Sequence, residues 1–208
     1  METETKDTIP LWLAVAITVC VALPFGLWLT KIDPNLTNIP IWASFIVWAE
    51  YFALGAKPAA LKIIVPAFIL GVIGAAIIMT AYALLITPLG DLVGDAEVGG
   101  YVALFAAAFV GFCVLIYAMK YMPVTQTGSL PFFNGISMML AVYFTGVFPT
   151  ALFGVDPATQ KELLPALAAL WAILAGMLGA FLGWFNVTIM FPRPVAKTTT
   201  VGTQPMGA

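Results

Sequence analysis

The sequence predicts an all-α fold: a polytopic membrane protein of six transmembrane helices, arranged as a 3+3 inverted repeat. Three observations lead to this reading. First, 62% of the 208 residues are hydrophobic and only 9% are charged, where a soluble domain carries about 25% charged residues. With a mean hydropathy of +1.04, the chain cannot cover itself with a solvated surface, so its outer face is lipid. Second, the apolar residues gather into six runs. Third, lysine and proline landmarks recur in the same order in the two halves.

Residues 1–10 form a cytoplasmic N-terminal segment. Glu2, Glu4 and Asp7 stand there against a single Lys6. A secretory signal has a basic start and a small-residue cleavage site; neither is present, so Leu11 onward is read as a retained helix. The membrane domain covers 11–191, with halves of about 11–90 and 98–191. Backbone in lipid must satisfy its own hydrogen bonds, so each long apolar run is a helix. The predicted spans are 11–30, 40–54, 61–87, 98–119, 131–148 and 163–191. A span needs roughly 20 residues, so the second is short, the fifth borderline, and the third and sixth long enough to tilt or project. A loop, TPLGDLVGDAEVGG, separates the third and fourth. Residues 192–208 form a polar, Thr-rich, flexible cytoplasmic tail.

An even number of spans puts both termini on one side. Lys6, Lys57, Lys62, Lys120, Arg193 and Lys197 collect there, against Lys31 and Lys161 opposite. The positive-inside rule then makes that side the cytoplasm. The halves share their punctuation. Lys31-x-x-Pro34 corresponds to Lys120-x-x-Pro123, Tyr51-Phe52 to Tyr143-Phe144, and Lys62-x-x-x-Pro66-Ala67 to Lys161-x-x-x-Pro165-Ala166. Lysine and proline mark helix ends in many membrane proteins, and the offset drifts from 89 residues (31 to 120) to 99 (62 to 161). The common order nonetheless favours a duplication. Three spans per copy is an odd number, so the second copy enters from the opposite side, a plan common in secondary transporters. Short or interrupted spans mark the site in such proteins; here these are the second and fifth.

Glu50, in IPIWASFIVWAEYFALGAKP, is the only acid unambiguously within a span. An ionised side chain at the bilayer centre costs about 2.5–3.5 kcal/mol on insertion scales, so the carboxyl group is expected to be protonated or hydrogen-bonded toward the interior. Lys57 lies roughly 10 Å further along a helix, too far for direct pairing. Glu50 is either a proton-linked or substrate-binding carboxylate, or a structural acid capped by nearby donors or wetted near the surface. Val142 holds the matching place in the second half, so any acid chemistry is one-sided. In SLPFFNGISMML, Asn134-Gly135 and Ser137 offer polar groups near the start of the fifth span, either as a cap or turn or as lining. Thr125-Gln126-Thr127 is a polar lead-in. Ser44, Tyr51, Tyr143 and Thr145 could line the same interior, although mid-membrane hydroxyls often bond their own helix.

Small residues recur every fourth position at Ala67-Gly71-Ala75, Ala103-Ala107-Gly111 and Ala175-Gly179-Gly183, which lets helices approach closely. Trp12, Trp28, Tyr101 and Tyr121 suit interfacial anchoring. Cys20 and Cys113 have no CxxC spacing and read as small apolar fillers. The chain contains no histidine, which removes the commonest metal ligand and acid–base group near neutral pH. No phosphate loop, triad, metal site or flavin fingerprint is present, so neither a cofactor nor an enzymatic activity is expected. No basic cluster suggests nucleic acid.

The stretches WASFIVWAEYFALGAKPAALK, SLPFFNGISMMLAVYFTG and ELLPALAALWAILAGMLGAFLGW together resemble the YcdZ-like bacterial inner-membrane proteins, a domain of unknown function (DUF1097). The likeness spans most of residues 40–190. It implies a multi-span bacterial membrane protein and carries over no catalytic or binding residue.

The expectation is therefore a small channel or transporter with its pathway between the second and fifth spans, lined by Glu50, Ser44, Asn134 and Ser137, with Tyr51, Tyr143 and Thr145 on the same interior. A small neutral or weakly polar solute fits, since the spans offer no cation to hold an anion; cations remain open through Glu50. Six short helices enclose little space, so a homo-oligomer or a membrane-protein partner is expected. The alternative is a non-catalytic membrane subunit packed within a larger complex. A membrane enzyme ranks third, one acid and no histidine being a thin toolkit.

Overall fold

A computed structural model describes residues 3–32, 41–191 and 193–196. The Pro34 and Pro40 landmarks, the Trp28 and Lys31 side chains and tail residues 197–208 lie outside what it describes. Among the described residues seven α-helices follow in order: α1 (Leu11–Ile32), α2 (Ile41–Ala53), α3 (Pro58–Val93), α4 (Ala96–Met119), the single turn α5 (Pro123–Thr127), α6 (Ser129–Thr145) and α7 (Leu164–Ile189). Two short 3-10 turns precede α7. Every predicted run is helical. Among the described residues, three segments are long and apolar enough to cross a membrane: Pro58–Val93, Ala96–Met119 and Lys161–Ile189. Leu11–Gly26, Ala43–Ala53 and Ser129–Thr145 are shorter apolar stretches. The chain is thus a helical membrane protein. At 1.5 Å per residue, α2 extends only about 20 Å, short of a ~30 Å hydrocarbon core.

Two boundaries differ from the sequence reading. The expected loop after the third span is mostly helix: α3 runs through Pro88 and Gly90 to Val93, and α4 begins at Ala96. The helix stops at Gly94, whose φ of 77° suits a residue without Cβ. Asp95 restarts it by accepting hydrogen bonds from the Glu97 and Val98 N–H groups at 2.8 and 3.0 Å. Likewise α6 starts at Ser129 rather than Pro131, so Asn134-Gly135 lies inside the helix, not in a cap or turn. The Thr125-Gln126-Thr127 lead-in belongs to α5. Buried Thr125 donates to the Met119 and Met122 carbonyls at 3.1 and 2.9 Å, which ends α4 and redirects the chain.

The bundle is organised by two parallel helix pairs. In the first, Gly128 sits against Ile63 and Ala67, while Gly135 meets the Phe68 carbonyl further on, so α3 and α6 advance together. A Cβ at Gly71 would run into the Phe132 carbonyl and one at Gly135 into that of Phe68. In the second pair, Gly179 faces the Ser44 carbonyl and Gly183 the Tyr51 side chain, so α2 and α7 also advance together. Lipid tails are as apolar as leucine, and helices in a bilayer associate by close packing; glycine at the contact provides it. The small-residue ridges on α3 and α7 are spent on packing within the chain. The pairs join where Gly176 meets the Phe68 ring. Between them lies a core that includes Ile64, Phe68, Val72, Phe132, Met138, Met139 and Val142.

The outer helices are less engaged. α4 runs antiparallel to α3, with Gly111 over Ile78 and Gly74 under Leu115. Its far side presents Val102, Phe105, Phe109, Val110 and Val114. Helix α1 lies mainly on α7. Cys20 and Cys113 are exposed on these two outer helices, so they face outward rather than filling gaps in the core. Trp12, Tyr101 and Tyr121 are also exposed. The chain ends meet: Thr3–Lys6 pairs antiparallel with Arg193–Ala196. The Thr8 and Ile9 N–H groups donate to the Met190 carbonyl at 3.0 and 3.2 Å. This places part of the expected flexible tail, residues 193–196, in a two-stranded ribbon beside the start of α1.

Candidate functional site

Buried positions on α2 follow helical spacing: Ala43, Ser44, Val47, Trp48, Glu50 and Tyr51. Glu50 therefore sits on the inward stripe, near the end of the helix, with only 2% of its surface exposed. On α6 the inward stripe includes Pro131, Gly135, Met138, Met139 and Val142, and half-buried Asn134 stands at its edge. Helices α2 and α6 come into contact. There the Asn134 side-chain amide donates to Glu50 Oε1 at 2.5 Å. The two residues are 84 positions apart in sequence.

A cleft of about 460 Å³ opens beside this pair, lined by Phe45, Ile46, Ala49, Glu50, Ala53, Leu130 and Asn134. Its volume lies within the roughly 300–1,000 Å³ of small-molecule sites, which are mostly apolar with few polar groups. Ala53 ends α2 and Leu130 opens α6, so the cleft lies toward the end of the bundle that carries Lys57, Lys62 and Lys120. Glu50 Oε2 is buried and has no hydrogen-bond partner among the described residues. No lysine or arginine among them pairs with Glu50. The carboxyl group thus has one oxygen committed to Asn134 and the other unsatisfied, in apolar surroundings where an unmet polar atom is costly.

The remaining sequence candidates lie elsewhere. Ser44 is buried against Gly179 and donates to the Ile41 carbonyl at 2.6 Å. Tyr51 is fully buried against Gly183, and its hydroxyl has no partner among the described residues. Ser137 is exposed and bonds the Phe133 carbonyl at 2.9 Å. None of these three lines the Glu50 cleft: helix packing takes Ser44 and Tyr51, and back-bonding satisfies Ser137. Tyr143 and Thr145 line a different cavity of about 480 Å³, with Tyr82, Phe148 and Thr150. Tyr143 follows Asn134 by nine residues, which turns it about 180° around α6. The expected single interior is therefore divided, and only Glu50 and Asn134 share the first cleft.

One polar pair escaped the sequence reading. Asn186, fully buried on α7, donates to Thr18 Oγ1 on α1 at 2.9 Å, and Thr18 donates in turn to the Ala14 carbonyl at 2.9 Å. The available signal was an asparagine inside the sixth apolar run. This contact fixes the register of the loosely held α1.

No curated protein and no solved structure matches this chain. A family model described as a protein of unknown function, DUF1097, matches residues 13–190, which takes in α2 to α7, all of α1 but its first two residues, and the Glu50–Asn134 cleft. The chain belongs to the DUF1097 family.

Proposed function

We propose that this protein is a small channel or transporter of the bacterial inner membrane, built as a 3+3 inverted repeat, whose solute pathway passes the Glu50–Asn134 cleft. The observation that carries the reading is the buried, half-satisfied carboxyl group beside that cleft. An ionisable side chain at membrane depth is a functional site by default, and here it sits on one of the two shortest spans. The repeat is supported by the two parallel pairs: exchanging α2 with α6 and α3 with α7 turns the α2–α7 contact into the α6–α3 contact. Six crossings are supported by the terminal ribbon, since an even number is needed to bring both ends to one side. The lysine and arginine bias makes that side cytoplasmic.

The solute is small, either neutral and weakly polar or, through Glu50, cationic; transport is non-enzymatic, and the exposed face of α4 meets lipid or a second copy. Reconstituted vesicles test this directly. Candidate solute and proton flux should fall with Glu50→Gln and with Asn134→Leu; flux unchanged in both variants removes the pair from the mechanism. A second reading, an accessory subunit of a larger complex, draws on the apolar outer face of α4. Gentle detergent extraction and mass spectrometry separate the two: stoichiometric recovery of a different protein favours the subunit.

A further inference from the structure

We propose that the Glu50–Asn134 cleft binds a small primary ammonium ion carrying a short apolar body. The inference rests on the reading of this cleft as a solute site and names the class of solute. Three observations lead to it. Glu50 Oε2 is a buried oxygen without a hydrogen-bond donor among the described residues. Asn134 spends one of its two amide N–H groups on Glu50 Oε1, which leaves it one N–H and its carbonyl oxygen for a ligand. The other lining residues, Phe45, Ile46, Ala49, Ala53 and Leu130, have apolar side chains.

An ionised Glu50 therefore leaves a cleft with side-chain acceptors and no side-chain cation. A neutral alcohol can fill one acceptor with its single donor. A primary ammonium brings three donors and the compensating charge that a buried carboxylate lacks. An anion meets repulsion from the carboxylate. Phe45 and the aliphatic residues suit the apolar body, and an aromatic face also attracts a cation.

A free amine and the headgroup of an aminolipid share this chemistry, so the experiment separates them. The full-length protein is placed in nanodiscs of pure phosphatidylcholine, and binding of benzylammonium is compared with that of neutral benzyl alcohol by calorimetry. Wild type is expected to bind benzylammonium about tenfold or more tightly than the alcohol, as a charge-assisted hydrogen bond implies. Glu50→Gln is expected to abolish the preference. Phosphatidylethanolamine added to the nanodisc competes if the headgroup reaches the cleft and leaves binding unchanged if the ligand is a free amine; both results require an ammonium site. Equal affinity for the two probes in wild type overturns the ammonium proposal while leaving a solute site standing. Binding of neither probe, with lipid composition immaterial, overturns the ammonium proposal; absence of solute flux as well removes the solute reading beneath it. The wild-type comparison does not depend on whether the variant folds.

Discussion

The α2–α7 and α3–α6 pairs are built alike and furnished differently. Each is a parallel crossing in which glycine meets a partner backbone carbonyl, Gly179 at Ser44 and Gly71 at Phe132. Each short helix carries the same Tyr-Phe pair, Tyr51-Phe52 and Tyr143-Phe144. Immediately before it stands Glu50 in one and Val142 in the other, both buried. Val142 is fully buried in the apolar core that also holds Met138 and Met139; Glu50 lines the cleft. Close packing is common to both pairs, and a polar group has been admitted in one alone. The packing holds the bundle, and the exception is the residue on which the proposed site rests.

The largest expected effect comes from forcing the two pairs to match. Val142→Glu places a second carboxyl group in a closed apolar core without a donor. A cost of about 2.5–3.5 kcal/mol is expected on insertion scales, seen as loss of monodisperse protein or a sharply lowered Tm in detergent. Unchanged stability would mean that α6 already offers a polar environment and that the contrast with α2 is false.

Equivalent glycines should respond equivalently. Gly135→Val drives side-chain atoms toward the Phe68 carbonyl, and Gly179→Val toward that of Ser44. Overpacking typically costs about 1–3 kcal/mol, and backbone yields less than side chains, so both belong at the upper end. Thermal unfolding of the two variants should shift by similar amounts; tolerance at one position alone would show that the crossings are not alike. A smaller effect is expected at the outer edge of the α2–α7 pair. Asn186→Leu removes the hydrogen bond to Thr18, and buried polar contacts between membrane helices average about 0.6 kcal/mol. A double-mutant cycle with Thr18→Val should return a coupling of that order, and zero coupling would leave α1 held by apolar contact alone.

Much of this architecture was legible because the bilayer imposes simple demands. The apolar runs had to be helices, and their order survived intact. Glu50 stood out as an acid in an apolar run, and the shortness of that run singled out the same segment. Other features depended on which surface glycine and proline were serving. Pro88-Leu89-Gly90 fell in the expected loop, yet α3 continues through it, and the missing side chain of Gly99 lets α4 close in on the backbone of Gly90. Gly135 looked like part of a turn, but its missing side chain admits the backbone of α3. Ser44 and Tyr51 carry polar atoms that could have lined a pathway; packing against α7 hides them. Hydroxyl groups satisfied within their own helix, such as those of Ser137 and Thr145, give no sequence sign that they are spent. The meeting of Glu50 with Asn134 spans 84 residues, and spacing alone could not have predicted it.

Cysteine accessibility tests the existence of a reachable cleft between α2 and α6 most directly. In a background with Cys20 and Cys113 replaced, Ala49→Cys puts a thiol on the cleft wall and Ser44→Cys puts one a turn and a half away against Gly179. A small charged thiol reagent applied to the face bearing Lys57 and Lys120 should label Ala49→Cys readily and Ser44→Cys hardly at all. Equal, slow labelling of both would mean that water does not enter beside Glu50, contradicting the account.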